Sequence, residues 1–304
     1  MDIKKHALPL RCTISLEQCN TLNNMVEISD LSFGYARNEN LYQQFSIHFK
    51  SGQIYGLLGQ NGSGKSTLMK IIAGLLFPDA GNCVIDSINS KERSYQYFRN
   101  LYIIPEEFDL PDLSIRTYMK IYAPFYEAFS SGQFEDYLKE FEINPEEKLQ
   151  KLSYGNKKKV LLSFGLASNV RVLLLDEPTN GLDIPSKKTL RKLIASAATP
   201  ERCFIISTHQ VHDLENLLDH LVIISKNKLL LNESISKIAQ EISFVPFSTK
   251  PAENETLYYE KSFTGHIGII PNESKEEGKM NLEVLFNGII AQHAKFNQLF
   301  NSNK

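Results

Sequence analysis

Residues 59–67, GQNGSGKST, constrain this chain more than any other stretch. A glycine, four residues and then Gly64-Lys65-Ser66 is the spacing of a loop that wraps phosphate. Glycines let backbone N–H groups close around phosphate oxygens where a Cβ would clash or where φ must be positive. Lys65 reaches the outer phosphates as a point charge, and the Ser66 hydroxyl can hold Mg²⁺. The candidate phosphate contacts are Gly59, Gln60, Asn61, Gly62, Ser63, Gly64, Lys65, Ser66 and Thr67. The flanks agree with this. Gln53-Ile54-Tyr55-Gly56-Leu57-Leu58 is an apolar run suited to a buried parallel strand. Thr67 to Ala73 has helical spacing, with Gly74 placed to end it. Strand, loop and helix follow in the order that aims a positive helix end at the phosphates.

The 304 residues suffice for one large domain with an appendage, and 42% hydrophobic content can fill a core. A net charge of −2 argues against a protein that coats nucleic acid. No apolar run approaches the roughly 18 residues needed to span a bilayer. The start of the chain lacks a secretory layout. Four cysteines (Cys12, Cys19, Cys83, Cys203) show no metal-ligand spacing, which fits a reduced cytosolic protein.

Residues 1–24 show no usable pattern and read either as a poorly ordered leader or as a short ordered arm. From Met25 the chain alternates as a strand does, and the main domain is expected over residues 25–243. Within it, β signals vanish between residues 109 and 151, so a helical subdomain is expected over about 109–165. His220-Leu221-Val222-Ile223-Ile224 and Lys228-Leu229-Leu230-Leu231 read as a hairpin across Lys226-Asn227. Prolines and polar residues place a boundary near residues 243–256. Residues 257–304 read as two strands and a helix capped by Asn281, with Leu282, Leu285, Phe286, Ile289, Ile290, Phe296 and Leu299 on one face. So small a unit must dock on the main domain or on a second copy.

Two further stretches carry chemistry. Leu175-Asp176-Glu177-Pro178 is a buried strand running out into adjacent carboxylates. Beside a phosphate loop, Asp176 can hold Mg²⁺ and Glu177 can polarise the attacking water as general base. Leu152-Ser153-Tyr154-Gly155-Asn156 precedes Lys157-Lys158-Lys159. Ser153 suits a helix cap, but three lysines in a first turn oppose the helix dipole. They read either as neighbours of an anion or as a solvated basic face.

The ordered series GQNGSGKST, LSYGN, VLLLDEP, Gly181-Leu182-Asp183 and Ser207-Thr208-His209 resembles the ATP-binding cassette (ABC) ATPases over roughly residues 25–243. The resemblance implies an α/β fold: a phosphate-loop core of ABC type, an antiparallel β subdomain and an inserted helical subdomain. The small α+β appendage at the C-terminus lies outside it. It implies that Tyr35 stacks on adenine, that Ser153 and Gly155 contact the γ-phosphate held by the opposite subunit, and that Asp183 spans the dimer. His209 takes the place of the switch histidine, and Glu106 a place that reaches Mg²⁺ and the attacking water. Three departures stand out: Tyr154 and Asn156 where glycine and glutamine are commonest, Glu106 where glutamine is usual, and the appendage itself. Variant signatures and such a tail resemble the bacterial ABC-2-type exporter subunits. The implied assembly is a head-to-tail dimer, with itself or a related ATPase subunit, closing over two Mg–ATP and driving an integral membrane permease on a separate chain. The implied location is the cytoplasmic face of the membrane, and no nucleic-acid partner is expected. Soluble cassette proteins of nucleic acid or ribosomes usually carry tandem cassettes or long coiled-coil inserts, and neither is found here.

Overall fold

Apolar runs that face core on both sides become the strands of one six-stranded sheet. The computed structural model describes residues 24–36, 39–252, 255–263 and 265–301. The expected leader therefore lies outside the described residues, except Asn24, which opens the first strand. β1 (Asn24–Ala36) and β2 (Glu39–Lys50) pair antiparallel ahead of β3 (Gln53–Leu58), which feeds the glycine loop. There follow α1 (Lys65–Ile72), β4 (Ala80–Ile85), β5 (Ile88–Asn89), α2 (Tyr95–Phe98) and β6 (Leu101–Ile104). A helical stretch carries α3 (Ile115–Tyr122), α4 (Ser131–Glu140) and α5 (Tyr154–Ala167). The sheet resumes with β7 (Val172–Asp176), α6 (Ile184–Ala197), β8 (Cys203–Thr208), β9 (His220–Ser225) and β10 (Lys228–Ser234). α7 (Ile235–Glu241), β11 (Ile242–Phe247), β12 (Tyr258–Ser262), β13 (Gly265–Pro271) and α8 (Leu282–Asn301) complete the chain.

The main sheet runs β10-β9-β3-β8-β7-β6, parallel except for β10. Lys226 and Asn227, at φ 45° and 65°, make the tight β9–β10 turn that the strand twist favours. Successive side chains alternate between two cores. Tyr55, Leu57, Val172, Leu174, Ile205 and Val222 face α1 and the antiparallel sheet β2-β1-β4-β5. Ile54, Leu58, Leu173, Leu175, Phe204 and Ile206 face the helical stretch, α6 and the C-terminal unit. Among the described residues no helix is long and apolar enough to cross a membrane, and Cys83 and Cys203 are buried, unpaired thiols.

The stretch expected as a boundary, residues 243–256, instead begins with most of β11, which pairs antiparallel with β13 from Ile242 opposite Pro271 to Phe247 opposite His266. Pro246 hides this strand from a sequence reading. It is tolerated because β11 is the edge of the sheet β11-β13-β12. This unit docks on the main domain of its own chain. Leu282, Leu285, Ile289 and Phe296 share one core with Leu231 and Ile238, and α8 breaks from helical geometry at Gln292. Its start is pinned as well: the Leu282 amide donates to Glu215 Oε1 at 3.1 Å, and His212 Nε2 lies 2.7 Å from Glu283 Oε2. Leu285 is fully buried. Leu285→Ala is expected to cost about 2–5 kcal/mol of stability in urea unfolding of the full chain. A loss below about 1 kcal/mol would show that α8 contributes no packed core.

Candidate active site

Four neighbouring parallel strands, in the sheet order β3-β8-β7-β6, end side by side. From their carboxyl ends come the glycine loop, His209, the Asp176-Glu177 pair and Glu106, in that order. Open α/β sheets bind ligands at this edge. Register fixes the alignment: Leu58 lies opposite Thr208, Asp176 opposite Ser207, and Ile104 opposite Leu175.

The loop needs its glycines at identifiable places. Gly62 and Gly64 adopt φ of 77° and 100°. A Cβ on Gly64 would lie 2.4 Å from Tyr42 Oη, and one on Gly59 would lie 2.6 Å from the Ile224 carbonyl oxygen. α1 begins without a capping side chain or an acid in its first turn. The helices starting after Ser94, Ser114, Ser130, Ser153, Asp183 and Ser234 are all capped. The open, positive end of α1 thus suits an anion. Lys65 Nζ donates to the carbonyls of Gly59 (2.8 Å) and Gln60 (3.4 Å). Burial lowers its pKa, against the opposing fields of Glu177, Asp176 and Glu106.

The carboxylates occupy distinct settings. Glu177 is buried, with φ 46°. Its amide donates to Ser207, at 3.1 Å to Oγ and 3.2 Å to the carbonyl. Glu177 Oε1 sits 2.8 Å from His209 Nδ1, while Oε2 is buried without a hydrogen-bond partner among the described residues. Asp176 accepts a hydrogen bond from Ser207 Oγ, so one serine fixes both acids. Glu106 Oε1 accepts from Asn180 Nδ2 at 3.0 Å, and the Glu106 carbonyl accepts from the Tyr154 hydroxyl.

These groups line a cleft of about 400 Å³, the scale of a small-molecule site. Residues 61–67, Tyr35, Glu106, Glu177 and His209 form its walls. The Tyr35 ring is exposed at its mouth, its hydroxyl 2.9 Å from Thr67 Oγ1. Gly59 and Gln60 act from behind through their carbonyls on Lys65, and Asp176 is buried against Ser207. Ser153, Gly155 and Asp183 do not line this cleft. Ser153 caps α5, and Gly155 lets α5 approach the Gly181 carbonyl, which a Cβ would meet at 2.7 Å. Asp183 caps α6 through the Ser186 amide (2.8 Å), and the hydrogen bonds from Ser186 hold its carboxyl below the usual range.

The reading of the lysine triplet as a solvated basic face does not hold for Lys158. It is fully buried, and Nζ donates to the carbonyls of Glu177 (2.6 Å) and Asn180 (3.2 Å). The available signal was helical periodicity: Lys158 shares a face with the buried Leu161 and Leu162. Tyr42 was also missed. It is fully buried beside Gly64, its hydroxyl lacks a hydrogen-bond partner among the described residues, and burial pushes its phenol pKa up.

Fold and site together define a phosphate-loop ATPase. Residues 42–180 match the family described as ABC transporter. The chain is 28% identical over 281 residues to the Bacitracin transport ATP-binding protein BcrA of Bacillus licheniformis, covering 88% of this chain and 92% of that protein. It is 30% identical over 189 residues to the Nod factor export ATP-binding protein I of Burkholderia thailandensis, covering 60% and 62%. A solved structure described as the ATP binding subunit of an ABC transporter superposes with a TM-score of 0.65 at 25% identity, over 71% of this chain and 92% of its own. Residues 42–180 thus carry an ABC transporter ATP-binding domain, the chain has the α/β fold expected of it, and its relatives are named as ATP-binding proteins of transport and export.

Proposed function

We propose that this subunit hydrolyses Mg–ATP within a head-to-tail dimer, formed with itself or a related ATPase subunit, and drives a permease on a separate chain at the cytoplasmic face of the membrane. The observation that carries the reading is Glu177: a buried carboxylate with one oxygen on His209 and the other without a hydrogen-bond partner among the described residues, on the wall of a cleft built around a phosphate loop. The amides of residues 61–67 and Lys65 receive the phosphates of ATP, and Tyr35 stacks on its base. Glu177 Oε2 takes the proton of the attacking water, and His209 orients Glu177 through Oε1.

The donors present also fit Mg²⁺. Hard oxygen ligands suit it, and with substrate phosphates it needs only one or two carboxylates. Ser66, Asp176 and Glu106 would hold the ion, which neutralises charge on the transferring phosphate. Ser153, Gly155 and Asp183 sit at the starts of α5 and α6 outside the cleft of their own chain, as residues serving the opposite subunit's ATP would. The word export in a relative's name supports the outward direction.

The permease contact is assigned to the helical stretch. Ile121, Tyr122 and Phe125 remain exposed there (48%, 37% and 57%), an apolar patch with no phosphate chemistry of its own. Ile121→Glu combined with Phe125→Glu is expected to abolish co-purification with the membrane subunit from detergent extracts, while Mg–ATP affinity holds. Unchanged co-purification would move the contact elsewhere.

A further inference from the structure

We infer that Tyr154 and Lys158, one turn apart at the start of α5, are positioning residues that couple the helical stretch to both site carboxylates, Glu106 and Glu177. The inference rests on the proposed role of Glu177 as general base. Four side chains close a circuit that reaches the cleft at Glu106. Lys158 Nζ donates to the carbonyls of Glu177 and Asn180. The Asn180 side chain donates to the Glu106 carboxylate, and the Glu106 carbonyl accepts from the Tyr154 hydroxyl. The circuit returns to α5 through Tyr154, whose ring centroid lies 5.8 Å from Lys158 Nζ. The ring also stacks on Phe108, at 5.1 Å and 17°. Phe108 belongs to the turn that leaves β6, so Tyr154 grips that turn twice.

Physical cost argues that Lys158 is more than core filler. A fully buried ammonium loses its hydration, and burial lowers its pKa. An apolar residue of similar length would fill the space more cheaply. What the ammonium adds is two hydrogen bonds on one short turn. That turn is strained: Glu177 holds φ 46°, a left-handed conformation that non-glycine residues keep only when their surroundings over-determine it. Ser207 holds the Glu177 amide, and Lys158 holds the Glu177 carbonyl. The residue is thus gripped at both ends of its backbone, and its carboxylate is aimed by that grip. Because Tyr154 and Lys158 both ride on α5, any tilt of the helical stretch moves the turns that carry Glu106 and Glu177. Tyr154 stands where the resembled family most often has glycine, a residue that could make neither of these contacts.

The test compares the full-length protein with Lys158→Met, Tyr154→Phe, Glu177→Gln and the Lys158→Met/Glu177→Gln double variant. Steady-state phosphate release and calorimetric Mg–ATP binding are measured on each, with melting curves. Lys158→Met is expected to lower kcat by about 10²-fold through misplacement of the base, with ATP affinity unchanged. Tyr154→Phe keeps the stack and loses one hydrogen bond, and is expected to lower kcat by about tenfold. The decisive readout is non-additivity: in the Glu177→Gln background, Lys158→Met should lower kcat no further, because its effect runs through Glu177. A kcat near wild type in Lys158→Met, or a further drop of about tenfold or more in the double variant, overturns the inference. Should Lys158→Met fail to fold, Tyr154→Phe decides, since its half-exposed ring retains its packing; an unchanged kcat there overturns the coupling. Wild-type turnover in Glu177→Gln alone would instead remove the general-base reading, a separate failure.

Discussion

Glu177→Gln is expected to lower ATP turnover by about 10²-fold or more while leaving ATP binding intact. The amide is isosteric and can still present an oxygen to His209, so the geometry around Oε1 survives. What it loses is the capacity to take a proton, because an amide nitrogen or oxygen is not a base at neutral pH. The present Oε2 is buried and without a partner among the described residues, so one acceptor is already free for a water. Removing the negative charge also removes repulsion toward the substrate phosphates, so affinity should hold or rise. A dimer competent to close but not to hydrolyse should then accumulate with Mg–ATP and elute earlier on gel filtration. Near-normal phosphate release would exclude Glu177 as the base. Loss of ATP binding would point to damage to the turn.

The strands of the main sheet were legible because each has apolar residues facing both cores, as Val172 to Leu175 and Phe204 to Ile206 show. The site was legible for a related reason: its acids and His209 sit at those strand ends or within two residues beyond them. Glu177 follows β7 and His209 follows β8 directly. Three things escaped. β11 was obscured by Pro246, since edge strands obey weaker rules than central ones. Lys158 was read by its charge, whereas its place on the buried face of α5 was set by its spacing from Leu161 and Leu162. Tyr42 carries no motif at all. Its contact with Gly64 joins β2 to the loop across 22 positions of sequence, and nothing local announces it.

That contact makes Gly64→Ala the most damaging single change expected for ATP binding. Two costs combine. At φ 100° an alanine is forced into backbone space that L-residues rarely occupy, a strain of about 1–3 kcal/mol. The new methyl would also meet Tyr42 Oη at 2.4 Å and Cζ at 2.8 Å. Tyr42 is fully buried, tilted against Phe45 with ring centroids 4.8 Å apart, and cannot swing into solvent. The loop must therefore move instead, and with it the start of α1 that presents Lys65 and Ser66. Affinity for Mg–ATP is expected to fall by about 10²-fold or more, the scale of about 3 kcal/mol. Gly62→Ala separates the two costs. Gly62 has φ 77°, yet a Cβ there would meet nothing within 4 Å, so only backbone strain remains. Its loss should be about tenfold. Adding Tyr42→Phe to Gly64→Ala removes the hydroxyl but leaves the ring carbon, so recovery should be partial. Equal losses in Gly62→Ala and Gly64→Ala would show that the Tyr42 contact is irrelevant to binding. Unchanged affinity in both would deny the loop its role in holding phosphate.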